Sequence, residues 1–246
     1  MRLINFLIIF MSFAITGNYA SKIDSIRCQY VIDKTNANFQ KVKNYNVDIS
    51  VELDIPGIRM PISNYVVSFN QPDQIEIKSK EFGILPKTGL FESPEENFNN
   101  LEDKVFILKD DSLIENEVMV EGYAIFDSLK FASPNAYLEM LEPIVRVKVD
   151  TLNWVINSVV ASIETRKKKI PLFQIENIYN RFDSEFVMPV KSTAKYYIKD
   201  KKLSNWLSKD SDYLNQMKQS QNSDSEPIVE GTIEVKYSNY VINKND

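Results

Sequence analysis

Between Tyr45 and Ile55 apolar and polar residues change places at every step. Val47, Ile49, Val51, Leu53 and Ile55 fall on one side, and Asn46, Asp48, Ser50, Glu52 and Asp54 on the other. A period of two predicts a strand with one dry face and one wet face. Pro56-Gly57 then turns the chain. The alternation returns with Tyr65, Val67 and Phe69, breaks at Pro72-Asp73, and resumes with Ile75 and Ile77. Farther on, Val145, Val147 and Val149 alternate with Arg146, Lys148 and Asp150. Val190, Ser192, Ala194, Tyr196 and Ile198 oppose Lys191, Thr193, Lys195, Tyr197 and Lys199, and Ile233, Val235 and Tyr237 close the series. A polar face on nearly every strand predicts antiparallel pairing.

Helical spacing is rarer. Ile23, Ile26, Tyr30 and Ala37 predict a helix over residues 22–40, with Asp33 interrupting the stripe. Ser93-Pro94-Glu95-Glu96 combines a capping serine, a proline at the first helical position and a glutamate three residues after the cap, which predicts a short helix. Leu203, Trp206, Leu207, Leu214 and Met217 predict another amphipathic helix, and the polar stretch 219–227 a loop. About ten strands with few helices predict a mainly β (α+β) fold. Its form is then a strongly curved antiparallel sheet or an open barrel, with helices covering the apolar face. No repeat or composition break divides residues 21–246, so a single domain is expected there.

The N-terminus follows other rules. Met1-Arg2 precedes a nearly unbroken apolar run from Leu3 to Ile15, too short to span a bilayer, and small or turn-forming residues lead to Ala20. This layout predicts a secretory signal peptide over residues 1–20. Its loss removes Arg2 and changes the formal charge from -5 to -6. The one cysteine, Cys28, stands well past the apolar run and follows Ile26-Arg27, so a lipid anchor is not expected. It reads as a half-buried helix residue, and the mature chain as a soluble exported protein.

Acidic charge excludes nucleic acid as a main partner. The absence of histidine removes Ser-His-Asp and Cys-His catalysis and most zinc sites, so no cofactor or metal is expected. Ser192-Thr193-Ala194-Lys195 matches S-x-x-K, and Lys87-Thr88-Gly89 matches K-T-G. The serine motif needs one helix face, whereas the period of two here sends Ser192 and Lys195 to opposite faces. Asp110-Asp111-Ser112 reads as a turn between strands, and Arg166-Lys167-Lys168-Lys169 as a solvated hairpin turn or, alternatively, a docking point for an acidic membrane surface or partner. Phe82-Gly83-Ile84-Leu85-Pro86 is unusually apolar for a loop. It either plugs a core or touches something apolar.

Three stretches in order resemble a known family. Phe69-Asn70-Gln71-Pro72-Asp73-Gln74-Ile75 has the form aromatic-x-x-Pro-x-x-aliphatic between two early strands. VDTLNWVINSVVASIE (149–164) and FVMPVKSTAKYYI (186–198) follow. The combination is similar to the LolA/LolB-like lipoprotein-carrier superfamily, over most of residues 22–200 and the last strand. The resemblance implies an open, incomplete antiparallel β-barrel wrapped around covering helices, with an apolar cavity for acyl chains between them. It implies a non-enzymatic periplasmic carrier of acylated lipoproteins or other lipids toward the outer membrane, served by an inner-membrane extractor and an outer-membrane acceptor. Inward-face positions then predict the lining: Val47, Ile49, Val51, Tyr65, Val67, Phe69, Ile75, Ile77, Phe82, Ile84 and Leu85. The family's basic residue before the proline is Gln71 here. A non-enzymatic envelope-assembly or protein-binding module with a filled core is the alternative.

Overall fold

The computed structural model describes residues 24–55, 60–72, 74–79, 93–125, 143–164, 169–199 and 228–243. The chain forms ten strands: β1 (Asn44–Asp54), β2 (Ser63–Asn70), β3 (Gln74–Ser79), β4 (Leu101–Ile107), β5 (Glu117–Ala124), β6 (Ile144–Asp150), β7 (Val155–Glu164), β8 (Lys169–Phe182), β9 (Phe186–Lys199) and β10 (Ile228–Ile242). Hydrogen bonding runs in the order β3-β2-β1-β10-β9-β8-β7-β6-β5-β4. β3 and β4 end the series, so the sheet is open, and the described ladders are antiparallel. The mainly β, open antiparallel class is as expected from the alternation. The described residues fall into two compact units, those within 1–39 and 92–157 and those within 40–91 and 158–246.

The first unit holds helix α1 (residues 24–39), helix α2 (Pro94–Asn99) and strands β4 to β6. α2 begins as its sequence dictates. The Ser93 side chain accepts from the Glu96 backbone N–H, and the Glu96 carboxylate accepts from the Ser93 N–H at 3.0 Å. Its Phe98 is fully buried. Val118 faces Val149 and Val120 faces Val147 across β5 and β6, all four buried. β4 is bulged between Glu102 and Val105. A Cβ at Gly122 would stand 2.7 Å from the Glu102 carbonyl oxygen, so only glycine fits beside that bulge.

The stripe expected for α1 is corrected. Ile26, Tyr30 and Ala37 are exposed, and Ile23 lies outside the described residues. The buried face is Cys28, Val31, Ile32 and Thr35, an i, i+3, i+4, i+7 set. Thr35 serves as an inward residue because its hydroxyl donates to the Val31 carbonyl at 2.7 Å. Tyr30 keeps its ring in use at the surface, edge-on to Trp154 with centroids 5.6 Å apart and with the Lys34 ammonium 5.5 Å from its centre. Cys28 is correspondingly buried rather than half-buried.

The second unit holds β1 to β3, β8 to β10 and most of β7. Among its described residues there is no helix. The turn from β8 to β9 places Asp183 and Ser184 at positive φ, which suits the tight hairpin closing on the pair Phe182 and Phe186. The expected helix at 203–217, the loop 219–227, the signal peptide, Pro56-Gly57, Lys87-Thr88-Gly89 and Arg166 to Lys168 lie outside the described residues. Lys169, the last of the basic run, opens β8 and pairs with Glu164 across the hairpin at 2.9 Å.

Candidate functional site

In the second unit the dry faces of successive strands are brought into register. Phe69 stands opposite Tyr45, Val67 opposite Val47 and Tyr65 opposite Ile49. Ile49 in turn faces Tyr237, Val51 faces Val235 and Leu53 faces Ile233 on β10. The row continues through Ala194 on β9 to Ile175 on β8 and Val159 on β7. Val47, Ile49, Val51, Tyr65, Val67 and Phe69, six of the predicted lining residues, are buried on this one face. Opposite-face partners are ionic and exposed, as with Lys195 and Glu230 at 3.2 Å.

Ile75 and Ile77 differ from the other predicted lining residues. Register puts them on the same face, beside Phe69 and Val67. Yet they are 38% and 41% exposed, because among the described strands β3 has a neighbour on one side only. They form the rim of the face and not its interior. Phe82, Ile84 and Leu85 lie outside the described residues.

The face also carries polar groups that alternation alone does not interpret. The Tyr237 hydroxyl donates to Ser192 Oγ at 3.2 Å, and Ser192 donates to Asn177 Oδ1 at 2.7 Å. Tyr179 also hydrogen-bonds Asn177. Aromatic rings cluster near the β1 start: Tyr45 stacks on Phe69 at 5.0 Å, and Tyr240 touches both Tyr45 and Phe182. Burial raises the phenol pKa of Tyr45, Tyr179, Tyr237 and Tyr240, that of Tyr237 to about 12. Of these, Tyr237 was visible in the alternation. Tyr45 extends the β1 pattern by one step, whereas Tyr179 and Tyr240 follow strand irregularities that no local pattern announces.

Gln71 is taken up by the fold. Its side-chain amide donates to the Val42 carbonyl at 3.0 Å and its backbone N–H to the Lys43 carbonyl at 2.8 Å. The S-x-x-K residues diverge as the period of two predicts. Ser192 is buried in the hydroxyl network, and Lys195 is on the wet face with Glu230.

The first unit has a cavity of about 760 Å³ beside α1, α2 and β4. Asp24, Asp33, Glu95 and Asp103 line it with Lys104, whose ammonium donates to the Leu101 carbonyl at 2.6 Å. Such a lining suits water and cations better than acyl chains. Among the described residues, no group of three or more His, Cys, Asp or Glu could hold a metal ion. Cys28 is part of its wall, and burial, then the Asp24 charge, push the thiol up to about 11. Native protein at pH 8 should therefore react with a chromogenic disulfide at least ~100-fold more slowly than urea-unfolded protein. Comparable rates in the two states would show that α1 does not bury this side chain.

No protein-family model matches the chain, and no curated protein matches it. Among solved structures the fold is similar to a LolA superfamily protein from Nitrosomonas europaea, at 10% identity and a TM-score of 0.47, covering 89% of this chain and 94% of that one. It is also similar to a DUF1329 family protein from Desulfovibrio piger, at 6% identity and a TM-score of 0.44, covering 87% and 92%.

Proposed function

We propose that this protein is an exported carrier that holds the acyl chains of a lipid or lipoprotein against the dry face of its second unit. The observation that carries the reading is the continuity of that face. It runs from fully buried Val51, Val67 and Val235 to Ile75 and Ile77, which share the face and meet solvent at the sheet edge. An apolar surface that is dry inside and open at its rim gives a hydrocarbon chain a way in.

The work is physical. Each methylene moved out of water contributes about 0.8 kcal/mol. Binding several chains is therefore tight, and delivery requires either an acceptor with a more favourable site or a change that narrows this one. An extractor at the inner membrane and an acceptor at the outer membrane are the partners this route calls for.

Native mass spectrometry of protein purified from the periplasm of an expression host, followed by lipid extraction, tests the reading. Acylated molecules should accompany the protein at fixed stoichiometry. The rim variant Ile75→Asp/Ile77→Asp should retain about tenfold less lipid. Its thermal midpoint should stay close to that of the parent, because both positions are already partly wet. A wild-type protein free of lipid under gentle conditions would instead favour a protein-binding module with a filled core.

A further inference from the structure

Tyr65 is set apart from its neighbours by what its hydroxyl lacks. The residue is only 6% exposed, yet among the described residues its oxygen has no hydrogen-bond partner. Three other phenols in the unit are engaged: Tyr237 with Ser192, Tyr179 with Asn177, and Tyr240 with the Pro189 carbonyl at 2.8 Å. Ser79, opposite Tyr65 on β3, turns its hydroxyl to the Asn64 carbonyl instead. A buried donor without an acceptor destabilises the fold, and phenylalanine would fill the same space without that cost.

The surroundings narrow what could accept from it. Among the described residues, Ile49, Val47 and Val51 on β1, Val67 and Phe69 on β2, and the Ile77 rim on β3 share its face, and none carries a charge. A phosphate or carboxylate would enter this apolar surface without a counterion. A neutral carbonyl attached to hydrocarbon meets both requirements, because the oxygen accepts from the phenol while the chain stays on apolar side chains. We propose that the Tyr65 hydroxyl is the donor for an ester carbonyl of the cargo, so that the protein selects acyl esters over equally long hydrocarbon chains. This rests on the carrier reading.

The test uses the full mature protein, wild type and Tyr65→Phe, with a diacylglycerol diester and its diether analogue of equal chain length. Lipid retained after gel filtration is quantified by mass spectrometry. Wild type should prefer the diester by about fivefold, the scale of one hydrogen bond. Tyr65→Phe should bind the diether as before and the diester no better. The lipid-free variant should melt no lower than wild type, since no bond is lost, whereas Tyr237→Phe should melt lower. Equal retention of both lipids by wild type, or an ester preference surviving in Tyr65→Phe, would overturn the inference and leave the carrier intact. A lower melting point for Tyr65→Phe would reveal an internal or water partner and overturn it too. If wild type retains neither lipid, the carrier reading falls and the inference with it.

Discussion

Val67→Asp is expected to leave no folded protein under conditions where Val66→Asp folds normally. Val67 is 0% exposed, held between Val47 on β1 and Ile77 on β3. An aspartate there gives up the burial of the valine side chain, about 2 kcal/mol. It also places a carboxylate among apolar groups with no counterion, which adds several kcal/mol or forces the group to stay protonated. The sum approaches the whole stability of an ordinary domain, about 5–15 kcal/mol. Val66 is the adjacent residue and 45% exposed on the wet face. Its ladder neighbours are Asp48 on one side and Lys78 on the other, so a new carboxylate meets one like and one unlike charge. Its cost should stay near 1 kcal/mol, mostly lost β-propensity. Urea unfolding followed by circular dichroism separates the two. A cooperative transition for Val67→Asp near the parental midpoint would mean that this face is wet.

That contrast rests on a feature fully legible in the sequence. Alternation needs only local pattern, and it located β1, β2, β6, β9 and β10 and placed Val47, Ile49, Val51, Tyr65, Val67 and Phe69 on one face. The capping box at Ser93 was legible for the same reason, since its donors and acceptors are three residues apart. Sheet order was not legible. β10 lies between β1 and β9, a pairing sealed by contacts such as Asn239 Nδ2 donating to Asp48 Oδ2 at 2.8 Å, 191 residues apart. The exposure of Ile75 and Ile77 follows from that order, because a strand at an edge reads like any other from within. On α1 the pattern misled. Ile26 and Tyr30 are larger than Cys28 and Thr35 and so dominate a reading by hydrophobicity. Packing instead chose the compact set, with the threonine hydroxyl satisfied by its own backbone.

High pH should unfold the protein steeply once pH 10 is passed. Tyr45, Tyr179, Tyr237 and Tyr240 all have raised phenol pKa values, chiefly through burial, with Tyr237 near 12. In the unfolded chain the same groups ionise near 10. Below pH 10 both states are protonated, and the contribution of these groups to stability is complete. Above it the unfolded state releases protons that the folded state retains, so stability falls as pH rises toward the folded values. Each phenol contributes a slope of about 1.4 kcal/mol per pH unit, and four together about 5 kcal/mol per unit. One to three units then remove the stability of a typical domain. Cys28, at about 11 in the fold, adds the same sign from about pH 9 upward. The exposed pairs of Lys195 with Glu230 and Lys236 with Glu234 weaken in that range too, but solvent screens them. The urea midpoint should be level from pH 7 to pH 9 and then fall sharply. Absorbance at 295 nm should show four tyrosinates that appear only together with the loss of circular dichroism. Phenols that ionise while the strands remain intact would place water on the dry face, and a face already wet has little to gain from an acyl chain.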